Sequence, residues 1–202
     1  MENASKALLI AGGLLLAMLV VSLLVILQSN MNKMASAEND KKATQQLTAF
    51  NSTYEAYNKK YLKGNDVITV VNKAIENNLN LDDTHPWFID VVVIPTQNFV
   101  STTKRVRADG TIITPEAPIS GPVQMQANAT YSLKGTGPNN MNAGLIKFFD
   151  QPVTNKIVEN SDQTTTYTYS ALTNFQKAIF TCSKVDYTNG RVSKITFTQT
   201  KT

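Results

Sequence analysis

From Ala7 to Leu27 the chain reads ALLIAGGLLLAMLVVSLLVIL, 21 consecutive residues without a charge and with Ser22 as the one polar side chain. A helix rises about 1.5 Å per residue, so this block is about 30 Å long, the thickness of bilayer hydrocarbon. A core helix of a soluble domain would be shorter or amphipathic, whereas this segment is apolar on every side. The spacing predicts a transmembrane helix over 7–27, preceded by a tail at 1–6. Ala35-Ser36-Ala37 has the small-x-small form of a signal-peptidase site, but it lies well past the block, and signal-peptide cores run only about 7–15 residues. An uncleaved signal anchor is the expectation.

The net charge of +4 has to be placed before it is interpreted. Glu2 and Lys6 cancel in the tail. Residues 28–63 carry six lysines against three acids, +3, and residues 64–202 carry twelve cations against eleven acids, +1. The excess therefore sits beside the apolar block, and only Lys104, Arg105 and Arg107 cluster in the remainder. A groove that tracks phosphates needs more clustered cations than that, so no nucleic-acid partner is expected. Positive charges flanking the span, Lys6 and the α-amino group against Lys33, Lys41 and Lys42, favour a cytoplasmic body. The low-charge, Thr- and Asn-rich remainder suits an extracytoplasmic surface, and large domains cross largely regardless of flanking charge. The expected orientation is an N-terminus in the cytoplasm and a body outside.

After Leu27 no Pro or Gly occurs until Gly64, which permits one helix to continue as a stalk over 28–63. Leu47, Phe50, Tyr54, Tyr57 and Tyr61 step by three and four residues and form a seam. The seam is expected to pack on the chain's own body, the alternative being neighbouring copies. Gly64 breaks the helix, Asn65 or Asp66 can cap a second one, and Ile68, Val71, Ile75 and Leu79 recur at helical spacing up to Asn77-Asn78.

From Trp87 the period changes to two, giving a buried strand up to Ile94. Phe99 to Arg107, Asp109-Gly110 and Thr111 to Ile113 predict a hairpin. Pro115, Pro118 and Gly121-Pro122 mark a loop, Val123 to Leu133 a strand, and Lys134 to Asn140 a second loop. Leu145 to Phe149 and Ile157-Val158 read as short strands. Ser170 can cap a short helix that turns Leu172, Phe175 and Ile179 inward. Phe180 to Tyr187 and Val192 to Thr198 flank Asn189-Gly190, a strong hairpin signal whose register sets a small buried Cys182 opposite Phe197. The fold class is α+β: a transmembrane helix continuing into a stalk, a second short helix, then a mostly antiparallel body over 64–202 with a C-terminal hairpin.

Chemistry is sparse. Asp82-Asp83-Thr84-His85 sets two carboxylates beside the chain's one histidine, yet no spacing there specifies a metal, and a polar turn accounts for it. Ser101-Thr-Thr-Lys104 matches a Ser-x-x-Lys pattern but falls in a strand-like segment. Gly135-Thr-Gly137 has Asn140 where a dinucleotide fingerprint needs glycine. Asn51-Ser-Thr53 and Asn128-Ala-Thr130 match the glycosylation acceptor pattern, as chance allows in so Asn- and Thr-rich a chain. The lone Cys182 cannot form an intramolecular disulfide. No catalytic, cofactor-binding or metal-ligating residue is assigned, no cofactor is expected, and the chain is read as a non-enzyme.

The order of short tail, apolar helix, polar stalk and antiparallel β-body resembles that of type IV pilins and pseudopilins. The resemblance lies in architecture: Gly13 is followed by Leu14-Leu-Leu-Ala-Met18, without the Phe and Glu of the family's signature. In wording, Met1-Glu-Asn-Ala-Ser-Lys-Ala-Leu8, Phe50 to Tyr57 and Gly64-Asn-Asp-Val67 are similar to a group of small membrane-anchored proteins of Gram-positive bacteria. The resemblance to pilins implies a structural or assembly subunit of a surface or secretion apparatus, with the lipid bilayer, further copies of the chain or apparatus proteins as partners. The alternative is a membrane-tethered module that binds an envelope ligand through the Gly/Pro loops between Thr114 and Asn142. A third reading, an enzyme centred on Asp83 and His85, needs those two side chains to act together.

Overall fold

The computed structural model describes residues 2–119, 123–151 and 156–200, and its contacts divide the chain into two units, Met1–Ala49 and Phe50–Thr202. Helix α1 runs from Glu2–Glu55. In the first unit three hydroxyls bond back to the helix: Ser22 donates to the Met18 carbonyl at 2.8 Å, and Thr44 and Thr48 donate to the carbonyls of Asp40 and Thr44. Lys42 pairs with Glu38 one turn away at 2.8 Å. The large apolar side chains from Leu8 to Leu27 are exposed. Among the described residues, α1 is the one helix long and apolar enough to cross a membrane.

In the second unit the end of α1 joins the core. Tyr54 is buried and Phe50 half-buried, with their rings 5.1 Å apart. The stalk was expected to stay helical to Lys63, but the helix stops at Glu55. The chain beyond it finds better partners in strand β8 (Ile179–Thr188). The Cys182 N–H donates to the Lys59 carbonyl, the Thr181 hydroxyl donates to the Lys60 carbonyl, and Leu62–Lys63 pairs as strand β1 with Phe180 and Ile179. Tyr61, the last residue of the predicted seam, is consequently 83 % exposed.

Helix α2 (Gly64–Asn78) starts earlier than expected: the N-cap is Lys63 rather than Asn65 or Asp66, and the Asp66 carboxylate, in the first turn, accepts the Lys63 N–H at 2.8 Å. Gly64 is required because a Cβ there would lie 1.8 Å from the Phe175 carbonyl oxygen. Its buried face is centred on Val67, Val70, Val71, Ala74 and Asn78, a rotation from the predicted Ile68–Leu79 stripe that leaves Leu79 exposed. β-Branched Ile68 and Ile75 pack at the margin of the core.

The main sheet has five strands in the order β1-β8-β9-β2-β5, with β2 spanning Asp90–Ile94, β5 Tyr131–Ser132 and β9 Arg191–Gln199. The β8–β9 hairpin turns at Asn189-Gly190, both at positive φ, and pairs Cys182 with Phe197 as expected. Cys182 is half-buried rather than fully buried, and burial pushes its thiol pKa up. Strands β2 and β9 run parallel, the one departure from antiparallel pairing in this sheet. Val67, Val71, Ile89, Val91, Val93, Ile195, Phe197 and Phe175 belong to one buried cluster, which also takes in helix α4 (Ala171–Lys177).

The second sheet, order β4-β3-β7-β6, comprises β3 (Thr102–Arg107), β4 (Ile112–Pro118), β6 (Lys156–Glu159) and β7 (Thr164–Tyr169). The β3–β4 hairpin and its Gly110 at positive φ match the prediction. Pro115 and Pro118, expected in a loop, lie instead in β4, an edge strand where a missing N–H breaks no ladder. Gly121-Pro122 lie outside the described residues. Of the strand residues in this sheet only Thr164 is buried.

Two other expectations are corrected. The Val123–Leu133 strand reduces to β5 and a single bridge between Met125 and Phe99. Leu145 to Phe149 is not a strand but part of helix α3 (Ala143–Phe149), started by the Asn142 side chain, which accepts the N–H groups of Gly144 and Leu145. Leu145, Phe148 and Phe149 then share one buried helical face.

Candidate functional site

Where β2 and β9 begin and β8 ends, their side chains meet the Asp83–Phe88 turn and Lys134 around a groove of about 480 Å³. A charge ladder crosses three strands at this end: Asp186 on β8 is opposite Lys194 on β9, which is opposite Asp90 on β2. Asp90 is nearly buried, and its Oδ1 accepts the Ser132 hydroxyl at 2.8 Å and the Lys134 N–H at 3.0 Å. The Lys194 Nζ lies 3.6 Å from its Oδ2. Lys134 reaches Asp83 at 3.0 Å, and Asp186 pairs with Lys184 at 2.7 Å. Each carboxylate of the groove thus has a cation of its own.

Arg191 does not share in this pairing. It opens β9 immediately after the Asn189-Gly190 turn, is 8 % exposed, and has its guanidinium 5.4 Å above the Trp87 ring. Trp87 in turn meets Phe50 edge-on at 5.1 Å. The Arg191 Nε is buried without a hydrogen-bond partner, and among the described residues no carboxylate is paired with this side chain. Removal from water pulls the guanidinium below its ordinary pKa. A turn locks the position on one side: Asn51 donates to the Gly190 carbonyl at 2.8 Å and accepts the Val192 N–H at 2.9 Å.

The predicted polar turn at 82–85 forms as read. The Asp82 carboxylate accepts the hydroxyl and amide of Thr84, the hydroxyl contact being the larger cause of its lowered pKa. The Trp87 N–H donates to Nδ1 of His85 at 3.2 Å. Asp83 and His85 both line the groove, but Asp83 is engaged by Lys134 and His85 by the turn, with no hydrogen bond between them. Among the described residues no group of three or more His, Cys, Asp or Glu converges as a metal would require.

The remaining sequence signals have structural roles. Ser101 is buried and its hydroxyl accepts the Ala171 N–H at the start of α4, while Lys104 on β3 lies over the rings of Tyr167 and Tyr169. The Gly135–Asn140 segment closes on itself through the Gly135 N–H to Asn140 carbonyl bond, and a Cβ at Gly137 would meet the Met141 carbonyl at 2.3 Å. Asn51 is committed to the β8–β9 turn, whereas Asn128 is exposed at positive φ. The loops between Thr114 and Asn142 supply an edge strand and a helix cap.

Arg191 and Lys194 carried no signal in the sequence, and Trp87 read as the start of a buried strand, which begins instead at Asp90. Arginine after a tight turn ordinarily reads as solvated, and its stacking on Trp87 spans about a hundred residues of chain. Comparison with protein-family models, with curated proteins and with solved structures finds no match.

Proposed function

We propose that this chain is a single-pass membrane protein whose α+β body lies outside the membrane and serves as an assembly module, a pilin-like subunit of a surface or secretion apparatus. The observation that carries the proposal is helix α1, which holds the uncharged block 7–27 and reaches Glu55 without interruption. Its final turns, through Phe50 and Tyr54, belong to the hydrophobic core of the body. In this reading the partners are the bilayer and further copies of the chain or apparatus proteins, with no catalytic role and no nucleic acid.

Cross-linking tests the assembly reading. Met34 is exposed on α1, so a Met34→Cys variant in a Cys182→Ser background reports on neighbouring helices. Oxidation in native membranes is expected to yield disulfide-linked dimers or products with apparatus proteins. Monomer alone, under conditions where the thiol is alkylated freely, would contradict it.

A second reading, a membrane-tethered binding module, is favoured by the Arg191 groove, to which the Thr114–Asn142 loops contribute Lys134.

A further inference from the structure

An arginine that is 8 % exposed, with Nε buried and without a partner and no carboxylate beside it among the described residues, is costly to keep, because part of its hydration is lost without a compensating charge. Replacement by an apolar residue would relieve that cost, so the retained guanidinium invites the question of what completes it. Its stack on Trp87 supplies part of an answer by holding the plane of the group in place. With Nε buried, the donors that remain for a ligand are the two terminal Nη groups.

We propose that the groove lined by Arg191, whose guanidinium lies over Trp87, is a binding site for a carboxylate, carried by a small organic acid or by an acidic peptide segment. Three features support this class of ligand. First, the acids lining the groove are already matched, Asp83 by Lys134, Asp90 by Ser132, the Lys134 N–H and Lys194, and Asp186 by Lys184. Arg191 is therefore the cation for which the groove provides no counter-charge among the described residues. Second, a guanidinium fork fits a planar carboxylate through two parallel N–H···O bonds, a match that a compact ammonium lacks. Third, the volume of about 480 Å³ falls within the range of small-ligand clefts, about 300–1,000 Å³, and leaves space beside the anion for the rest of its carrier. The lining hydroxyls are committed within the protein, Thr188 donating to Ser193 at 3.0 Å and Ser193 to the Asp186 carbonyl at 3.3 Å, which leaves the anion to the guanidinium. Asp83, Asp90 and Asp186 around the rim disfavour a multiply charged phosphate more than a single carboxylate.

The site carries its own reporter, since Trp87 is the only tryptophan in the chain. Full-length protein in detergent micelles would be titrated with butyrate, with an acetylated, amidated peptide containing one glutamate, and with inorganic phosphate at constant ionic strength. Tryptophan emission is expected to change saturably with butyrate, with the peptide, or with both. The arm that saturates at at least tenfold lower concentration identifies the carrier. Arg191→Met should weaken that midpoint by at least tenfold, while its unliganded melting temperature stays level or rises because a buried charge has been removed. Arg191→Lys keeps a cation on a similar stem but removes the planar fork, and is expected to weaken the midpoint at least threefold. If Arg191→Met proves unfolded, an Arg191→Lys midpoint equal to that of the parent chain would overturn the site. Saturation by phosphate in place of both carboxylates would overturn the ligand class. Emission unchanged up to about 20 mM in every arm would overturn the proposal altogether. Because the assay is done in micelles, it is independent of the membrane orientation and of assembly.

Discussion

Asn78 does at the residue scale what a strand would do at the element scale. It is fully buried on α2, accepts the Ile89 N–H at 3.0 Å and donates to the Ile89 carbonyl at 2.8 Å, so both backbone groups just ahead of β2 are paired by one amide. Asn77 adds a donor to the Trp87 carbonyl at 2.7 Å, which ties the same helix end to the residue that supports Arg191. Leucine at position 78 would match the volume and strand both Ile89 groups away from water. Each unsatisfied buried polar group costs about 1–3 kcal/mol, so Asn78→Leu should lower stability by about 2–4 kcal/mol in urea unfolding. A loss below about 1 kcal/mol would mean that Ile89 is paired by some other group. The sequence showed Asn77-Asn78 as a helix stop, which it is; that the second asparagine is a core residue depends on Ile89 reaching it from eleven positions away.

At the element scale the two sheets are held in different ways. The main sheet packs into a hydrophobic cluster with α2 and α4, and its hairpin was legible because Asn189-Gly190 and the flanking alternation are local signals. Strand β7, Thr-Thr-Thr-Tyr-Thr-Tyr, was not legible: without an apolar alternation it had no face to declare. Its sheet relies on cross-strand pairs instead, and on a polar clasp in which Arg105 of β3 pairs with Asp162, and Thr164 donates to the same carboxylate. The Thr164 hydroxyl, followed by the Arg105 guanidinium, holds the Asp162 pKa below its ordinary value. A carboxylate depressed in the folded state contributes stability that is full above its unfolded pKa, about 3.9, and is lost as pH falls through the lower folded value. Hydrogen exchange of β3 and β7 amides should therefore accelerate between about pH 4 and pH 2 beyond its intrinsic trend. Asp162→Asn should remove that extra acid dependence; an identical profile in the variant would show that the clasp does not govern the sheet. The misread α3 belongs here too, since Leu145 to Phe149 is a short apolar run for which periodicity cannot separate strand from helix. Asn142 decided it by capping.

At the scale of the whole molecule the charge partition separates three regions, an uncharged block, a stalk region at +3 and a body at +1. The anchor was legible because apolarity over 21 residues needs no tertiary context. The candidate site was not, because its walls come from residues 83–90, 134 and 186–194, and spacing along the chain cannot show which side chains converge. Orientation joins the two, since the groove can meet an envelope ligand only from the outer side. Ser161 is exposed in the turn before β7 and is not one of the groove's lining residues, so a Ser161→Cys variant in a Cys182→Ser background reports the location of the body. Treatment of intact cells with a membrane-impermeant maleimide should label this cysteine to the same extent as treatment after lysis. Labelling that appears only after lysis would place the body in the cytoplasm and contradict the account.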